Sequence, residues 1–191
     1  MSPLIKICGI RDPDTSYFAA QQGADFIGMV HYTDSKRHVT VEGIKEIISA
    51  AREGGAKAVL VVVDISQQSL DALLAQIEPD FIQLYCSDIV IPSHVGKIYA
   101  NHMPKEICME TDYMLIDHPV GGQGIPLDWN KVRAPSTPRW FLAGGLNSEN
   151  VSEAINQLRP MGVDVSSGVE TDRRKDLDKI TKFIQRVKSH G

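Results

Sequence analysis

The sequence predicts an α/β fold, a closed (β/α)8 barrel occupying residues 1–191 as a single domain with a shortened helix 4/helix 5 region. Three observations predict it. Short apolar runs alternate with amphipathic helical stripes along the chain, and short connections separate them, which implies right-handed crossovers and a parallel sheet. Ala58 to Val63 is a nearly unbroken β-branched run, the mark of a strand buried on both faces. Finally, the alternation supplies eight strands rather than five or six. A length just below the ~200 residues usual for this fold fits a trimmed middle. An open doubly wound sheet is the competing arrangement, but no G-x-G-x-x-G turn follows the first strand.

The first strand runs from Pro3 to Ile7 and halts at Cys8-Gly9. Asp12 caps a helix with Pro13 at its first position, and Gly23 ends it. Asp25 to His31 is the second strand, and a polar loop with Ser35-Lys36-Arg37 leads to Thr40, which opens a helix carrying Val41, Ile44, Ile47, Ile48 and Ala51. Gly54-Gly55 stops that helix before the third strand. Leu70, Leu73, Leu74 and Ile77 form the next stripe, closed by Pro79, ahead of a strand from Phe81 to Tyr85.

Between Cys86 and Asp112 only Lys97 to His102 reads as a strand, and its flanks are too short and too punctuated by Pro and Gly for two full helices. Tyr113 to Asp117 is the sixth strand, followed by the Gly-rich stretch 119–124, and Asp128-Trp129 starts a short helix. Trp140 to Leu146 is the seventh strand, with Asn147 capping the helix after it. Gly162 to Ser166 is the eighth, and the last helix buries Leu177, Ile180, Phe183, Ile184 and Val187.

With 42% apolar and 23% charged residues the composition is that of a globular protein. A formal charge of −4 leaves no footprint for nucleic acid or an anionic membrane, and no apolar run reaches membrane-spanning length. Three cysteines, Cys8, Cys86 and Cys108, form no CxxC pair, which argues against a disulfide framework or structural zinc and for a reducing, cytoplasmic setting. Cys86 and Cys108 read as structural. A monomer is expected.

In such a barrel the active site lies at the carboxyl ends of the strands, and phosphate often binds at the loops after strands seven and eight. Gly144-Gly145 and Ser167-Gly168 sit in those two loops and offer unhindered backbone N–H groups ahead of helical turns. Cys8 and Asp117 close strands one and six, a thiol and a carboxyl facing across the mouth as an acid/base pair. Each alone is compatible with a packed core cysteine or a turn aspartate. Arg37, on the rim after strand two, is a candidate bidentate clamp for a carboxylate. Gln83 and Tyr85 end strand four beside the cavity, and Asp164 in strand eight is a candidate buried hydrogen-bonding carboxylate. His118 reads as a solvated loop residue.

Together these pieces resemble the phosphoribosylanthranilate isomerases of tryptophan biosynthesis, over essentially the whole chain. The carriers are Lys6-Ile7-Cys8-Gly9-Ile10, Gly23 to Gly28, Ser35 to Val39, Gln83-Leu84, Leu115-Ile116-Asp117 with Gly121 to Gly124 and Leu127 to Trp129, Leu142 to Asn147, and Gly162 to Glu170. The resemblance implies a TIM barrel and an Amadori rearrangement of a phosphorylated small-molecule substrate, with no metal or organic cofactor. It implies Asp117 as general acid, Cys8 as general base, Arg37 on the anthranilate carboxylate, and the two glycine loops on the phosphate. Lys6, the helix after Gly9 or the substrate iminium is expected to favour the Cys8 thiolate.

The chain also departs from that pattern. Lys36 replaces the usual Pro, Tyr85-Cys86 the usual His-Gly, and Gln123 a small hydroxyl residue, and His118 is unusual. The alternatives are the sister aminoaldose isomerase of histidine biosynthesis, which resembles a two-aspartate design, and a non-catalytic phosphate-binding barrel.

Overall fold

A computed structural model of the chain describes residues 2–85, 88–101, 112–117, 127–135 and 137–191. Eight parallel strands close into a barrel in sequence order, β1 to β8. They are β1 (Leu4–Cys8), β2 (Phe26–His31), β3 (Lys57–Val62), β4 (Phe81–Leu84), β5 (Gly96–Asn101), β6 (Tyr113–Ile116), β7 (Trp140–Leu142) and β8 (Gly162–Val165). Helices α1 (Pro13–Gln22), α2 (Val41–Glu53) and α3 (Gln67–Leu74) follow the first three strands, and α4 (Val151–Leu158) and α5 (Leu177–Lys188) the last two. A small hairpin, β9 (Glu170–Thr171) with β10 (Arg174–Lys175), sits between β8 and α5.

Local chemistry explains these boundaries. Asp12 accepts from the Thr15 N–H at 2.8 Å, Pro13 takes the first turn of α1, and Gly23 ends it at φ 103°, where a side chain would be strained. Ser16, buried in α1, donates to the Ile47 carbonyl at 3.0 Å and ties α1 to α2. Several boundaries differ from the sequence expectation. β7 ends at Leu142, not Leu146, because Gly144 and Gly145 both take positive φ (85° and 67°), which no strand tolerates. Asn147 does not cap α4. It accepts from the Glu149 and Asn150 N–H groups (2.8 and 3.1 Å) in a turn, and Asn150 holds the cap position. α3 ends at Leu74, with Pro79 beyond it. Asp128 caps a three-residue 3-10 turn, Trp129–Lys131, where a short helix was expected. Residues 88–95, between β4 and β5, hold no helix, in line with the shortened middle; residues 102–111 lie outside the described residues.

Paired residues run from Cys8 through Gly28, Val59 and Phe81 to Gly96, descending from the top of β1 to the foot of β5. That tilt divides the interior into levels filled alternately by even and odd strands. The lowest full level brings together Phe26, Phe81 and Tyr113 with Gly162, and Phe141 of the next level leans into the space Gly162 leaves. Above the aromatic floor stand Lys6, Val59, Ile98 and Phe141, then Gly28, Gln83, Leu115 and Asp164, then Cys8, Val61, Ala100 and Ala143. The top ring, on the even strands, is Val30, Tyr85, Asp117 and Ser166. The barrel therefore passes from apolar at its foot to polar at its mouth. A larger apolar layer lies between the strands and the helices, with Ile5, Ile27, Ile44, Leu60, Val163, Phe183 and Ile184 at its centre. Among the described residues, no helix is long and apolar enough to cross a membrane.

Candidate active site

The site is built on the upper three levels of the barrel. Cys8 ends β1 with its side chain pointing inward and only 8% of the residue exposed. Gly28, beside it on β2, makes this orientation attainable: a Cβ there would lie 2.8 Å from the Cys8 Sγ and 3.2 Å from its Cα. Asp117 follows β6 directly and belongs to the top ring, one level above Cys8 on the other side of the mouth.

Beneath Cys8 lies a buried ion pair. Lys6 Nζ donates to Asp164 Oδ1 at 2.9 Å, with the lysine wholly inaccessible and the Asp164 side chain 10% exposed. Burial opposes the charge on Lys6, but the Asp164 carboxylate and Cys8 outweigh it and raise its pKa. Burial also dominates at Cys8 and pushes its thiol up. The attraction of Lys6 and Lys175 and the repulsion of Asp164 are smaller influences. Of the three sources of thiolate stabilisation expected from the sequence, Lys6 is thus already paired with Asp164, and its attraction does not offset the burial of the thiol.

Arg37 reaches over Gly9, whose missing Cβ and φ of 76° admit the Arg37 side chain against the chain. Its Nε and Nη2 donate to Glu170 Oε1 and Oε2 at 2.7 and 2.8 Å, a bidentate pair. This edge of Arg37, read from the sequence as a candidate clamp for a carboxylate, holds the carboxylate of Glu170. Lys175, its side chain only 4% exposed, binds Glu170 Oε1 and the Ser166 carbonyl, both at 2.8 Å. Burial works against the Glu170 charge, yet Arg37 and Lys175 together hold its pKa down to about 2. Burial also lowers the pKa of Lys175.

Glu170 and Lys175 were not singled out from the sequence. Lys175 arrives on the β9–β10 hairpin, whose turn residues Asp172 and Arg173 both take positive φ (50° and 64°). An Asn-Gly turn would have announced the hairpin; Asp-Arg does not. Arg11 also fastens this rim, donating to the carbonyls of Arg173 and Lys36 at 2.8 and 3.3 Å.

Gln83 is buried one level below Cys8, with its Nε2 donating to the Tyr85 hydroxyl at 3.4 Å. Its Oε1 has no partner among the described residues, the state of a group shaped for a further donor. Burial, then Asp117 and Cys8, raise the Tyr85 phenol pKa. On the opposite rim the β7 and β8 loops meet. A Cβ on Gly168 would strike the Leu146 carbonyl, so only glycine permits the contact. Ser167–Val169 forms a 3-10 turn, and the N–H groups of Gly144, Gly145, Ser167 and Gly168 have no acceptor among the described residues. Cys86, Cys108, His118 and the Gly121 to Gly124 stretch lie outside the described residues.

A buried thiol, a carboxyl on the facing wall and a rim of amides with no acceptor among the described residues suit proton transfer on a small phosphorylated molecule. The comparisons agree with that chemistry. Residues 5–186 match the family model described as N-(5'phosphoribosyl)anthranilate (PRA) isomerase. The chain is 38% identical to N-(5'-phosphoribosyl)anthranilate isomerase 1, chloroplastic, of Arabidopsis thaliana, covering 98% of this chain and 75% of the relative. It is 38% identical to the N-(5'-phosphoribosyl)anthranilate isomerase of Streptococcus pneumoniae, strain Hungary19A-6, covering 98% and 96%. Among solved structures, TrpF from Jonesia denitrificans superposes with a TM-score of 0.81 at 30% identity, covering 98% of both chains. A phosphoribosyl anthranilate isomerase in complex with reduced 1-(o-carboxyphenylamino)-1-deoxyribulose 5-phosphate gives 0.76 at 28%, covering 98% of this chain and 99% of that one. The chain belongs to the N-(5'-phosphoribosyl)anthranilate isomerase family.

Proposed function

We propose that this chain converts N-(5-phosphoribosyl)anthranilate to 1-(2-carboxyphenylamino)-1-deoxyribulose 5-phosphate, with Asp117 as general acid and Cys8 as general base. The observation that carries the reading is the position of the two groups on adjoining levels of the mouth, on separate walls, with the amide rim of β7 and β8 to one side. A pentose spanning that mouth presents its ring oxygen and its C2 proton to different walls.

In the first step the Asp117 O–H bond breaks and its proton goes to the furanose ring oxygen. The C1–O bond cleaves with its electron pair to that oxygen, while the anilino nitrogen lone pair forms the C1=N iminium. The Cys8 thiolate then removes the C2 proton, and the electrons form C1=C2 and neutralise the nitrogen. Transfer of the enol proton to C1 gives the ketone. The N–H groups of Gly144, Gly145, Ser167 and Gly168 hold the phosphate. Arg37, braced on Glu170, takes the anthranilate carboxylate. Gln83 and Asp164 fix the sugar from below.

The test follows the fluorescence decay of the anthranilate substrate on adding protein. Cys8→Ala and Asp117→Asn are each expected to lower kcat by ~10²–10⁴-fold, the scale of a positioned acid or base. Near wild-type turnover in either variant removes that residue from the mechanism, and no decay with the unaltered protein favours a phosphate-binding barrel without catalysis. The chain is further proposed to act as a monomer in the cytoplasm. A sedimentation mass of twice the chain would overturn the first, and fractionation with an organelle the second.

A further inference from the structure

Tyr85 is the side chain nearest the chemistry that the family resemblance leaves without a role. Tyr85 and Asp117 are consecutive members of the top ring, on β4 and β6. Between them, one level down on β5, stands Ala100, a small buried side chain. The Tyr85 ring packs against the interior cluster that includes Cys8. From the level below Cys8, Gln83 Nε2 donates to the phenol oxygen at 3.4 Å, so the phenol proton is turned away from Gln83. The ionisable groups whose charge acts on the hydroxyl are Asp117 just after β6, Cys8 and Lys6 on β1, and Asp164 on β8. Burial and the Asp117 charge keep the phenol protonated, hence a donor, at every working pH.

We propose that Tyr85 is a positioning residue for Asp117: its phenol O–H donates to one carboxyl oxygen, so that the other presents the acidic proton to the ring oxygen of the sugar. The inference rests on the reading of Asp117 as the acid. When that proton crosses to the ring oxygen and the C1–O bond breaks, negative charge develops on the carboxyl, and a donor already in place stabilises it. The hydrogen bond is then stronger in the transition state than in the bound substrate, and it acts on kcat rather than on KM.

Tyr85→Phe keeps the ring and removes only the donor. It is expected to lower kcat by about 10- to 30-fold with KM within about twofold, the scale of a hydrogen bond to a charged group. Tyr85→His, which restores an N–H donor, is expected to recover most of the loss. In an Asp117→Asn background, Tyr85→Phe is expected to cause no further loss, because the two act as a unit. A kcat for Tyr85→Phe within about twofold of the parent, a loss confined to KM, or a histidine variant no better than phenylalanine overturns the proposal. The outcomes separate cleanly: an inactive Asp117→Asn beside a fully active Tyr85→Phe sinks only the role of Tyr85, whereas an active Asp117→Asn removes the acid and this inference with it.

Discussion

Asp164→Asn tests the charge arrangement under Cys8. The substitution keeps the size of the side chain and one acceptor oxygen but removes the charge facing Lys6, 2.9 Å away and fully buried. Two outcomes are open to the lysine. It stays charged, at the ~3–5 kcal/mol lost when one partner of a buried pair is deleted, with the amide oxygen favouring the lower end. Alternatively it sheds its proton at pH 7, which from an ordinary pKa near 10.4 costs about 4–5 kcal/mol. The protein takes the cheaper course, so a loss of about 3–4 kcal/mol is expected. For a chain of this length that amounts to a fall of roughly 6–16 °C in Tm.

Equilibrium urea unfolding at several pH values reads this directly. The native pKa of Lys6 lies above its unfolded value, so its contribution is complete below the unfolded pKa and is lost only as pH rises through the higher native one. The gap between wild type and Asp164→Asn is therefore expected to stay level from pH 6 to about 7.5 and to narrow toward pH 9, where shedding the Lys6 proton in the variant costs only about 2 kcal/mol. The double variant Lys6→Met/Asp164→Leu, which removes both charges, is expected to regain most of the loss. A gap under about 1 kcal/mol, or a double variant as unstable as the single one, would refute the reasoning.

Alkylation of Cys8 by iodoacetamide in the free protein is expected to keep accelerating past pH 9, because burial holds the thiol pKa up; Lys6→Met slows it further and a plateau near pH 8 contradicts it. Glu170→Gln tests the rim. The native pKa of Glu170, about 2, lies below its unfolded value, so its stabilisation is present above pH ~4.3 and fades as pH falls toward 2. The variant is expected to lose about 1–2 kcal/mol at pH 7, allowing for solvent screening, and to flatten the acid limb of the stability curve; an unchanged limb counts against the pairing. Gly28→Ala drives a methyl against the Cys8 Sγ and is expected to cut kcat by ~10²-fold while costing only about 1–3 kcal/mol, with full activity as the opposing result.

What was legible in the sequence is what local chemistry determines. Asp12-Pro13 and Gly23 bracket α1 because a side-chain acceptor, a fixed φ and a left-handed glycine each act within one turn. The β-branched run at Ala58 to Val63 reads as a strand on its own composition, and β3 occupies Lys57–Val62. Cys8 and Asp117 could be assigned to the mouth because both stand at the ends of legible strands. The partner of Arg37 could not: Glu170 lies 133 residues away, and only closure of β8 against β1 brings it near. Levels are likewise invisible until registers are known, so Tyr85 next to Asp117 is a product of the barrel's tilt. At Asn147 the signal itself was ambiguous, since the same side chain serves a turn or a cap.

The charge arrangement also orders the proposed reaction. A buried ion pair is a costly way to fill a barrel level, and apolar residues of similar volume often give a more stable core. Lys6 and Asp164 nonetheless stand under the thiol and act on Cys8 in opposite directions, both more weakly than burial does. In the free protein burial therefore prevails and the thiol holds less thiolate than an ordinary cysteine, which is itself only a few per cent ionised at pH 7. Deprotonation needs a further positive charge close to the sulfur. In the proposed sequence the substrate supplies one, but only after Asp117 has opened the ring and created the iminium; the thiol proton then passes through solvent to the carboxylate that Asp117 has become. Acid thus precedes base, and an idle site holds little reactive thiolate. The order is measurable: saturating the site with an unreactive analogue bearing a fixed cation at that nitrogen should lower the pH at which Cys8 ionises, and a neutral analogue of the same shape should not.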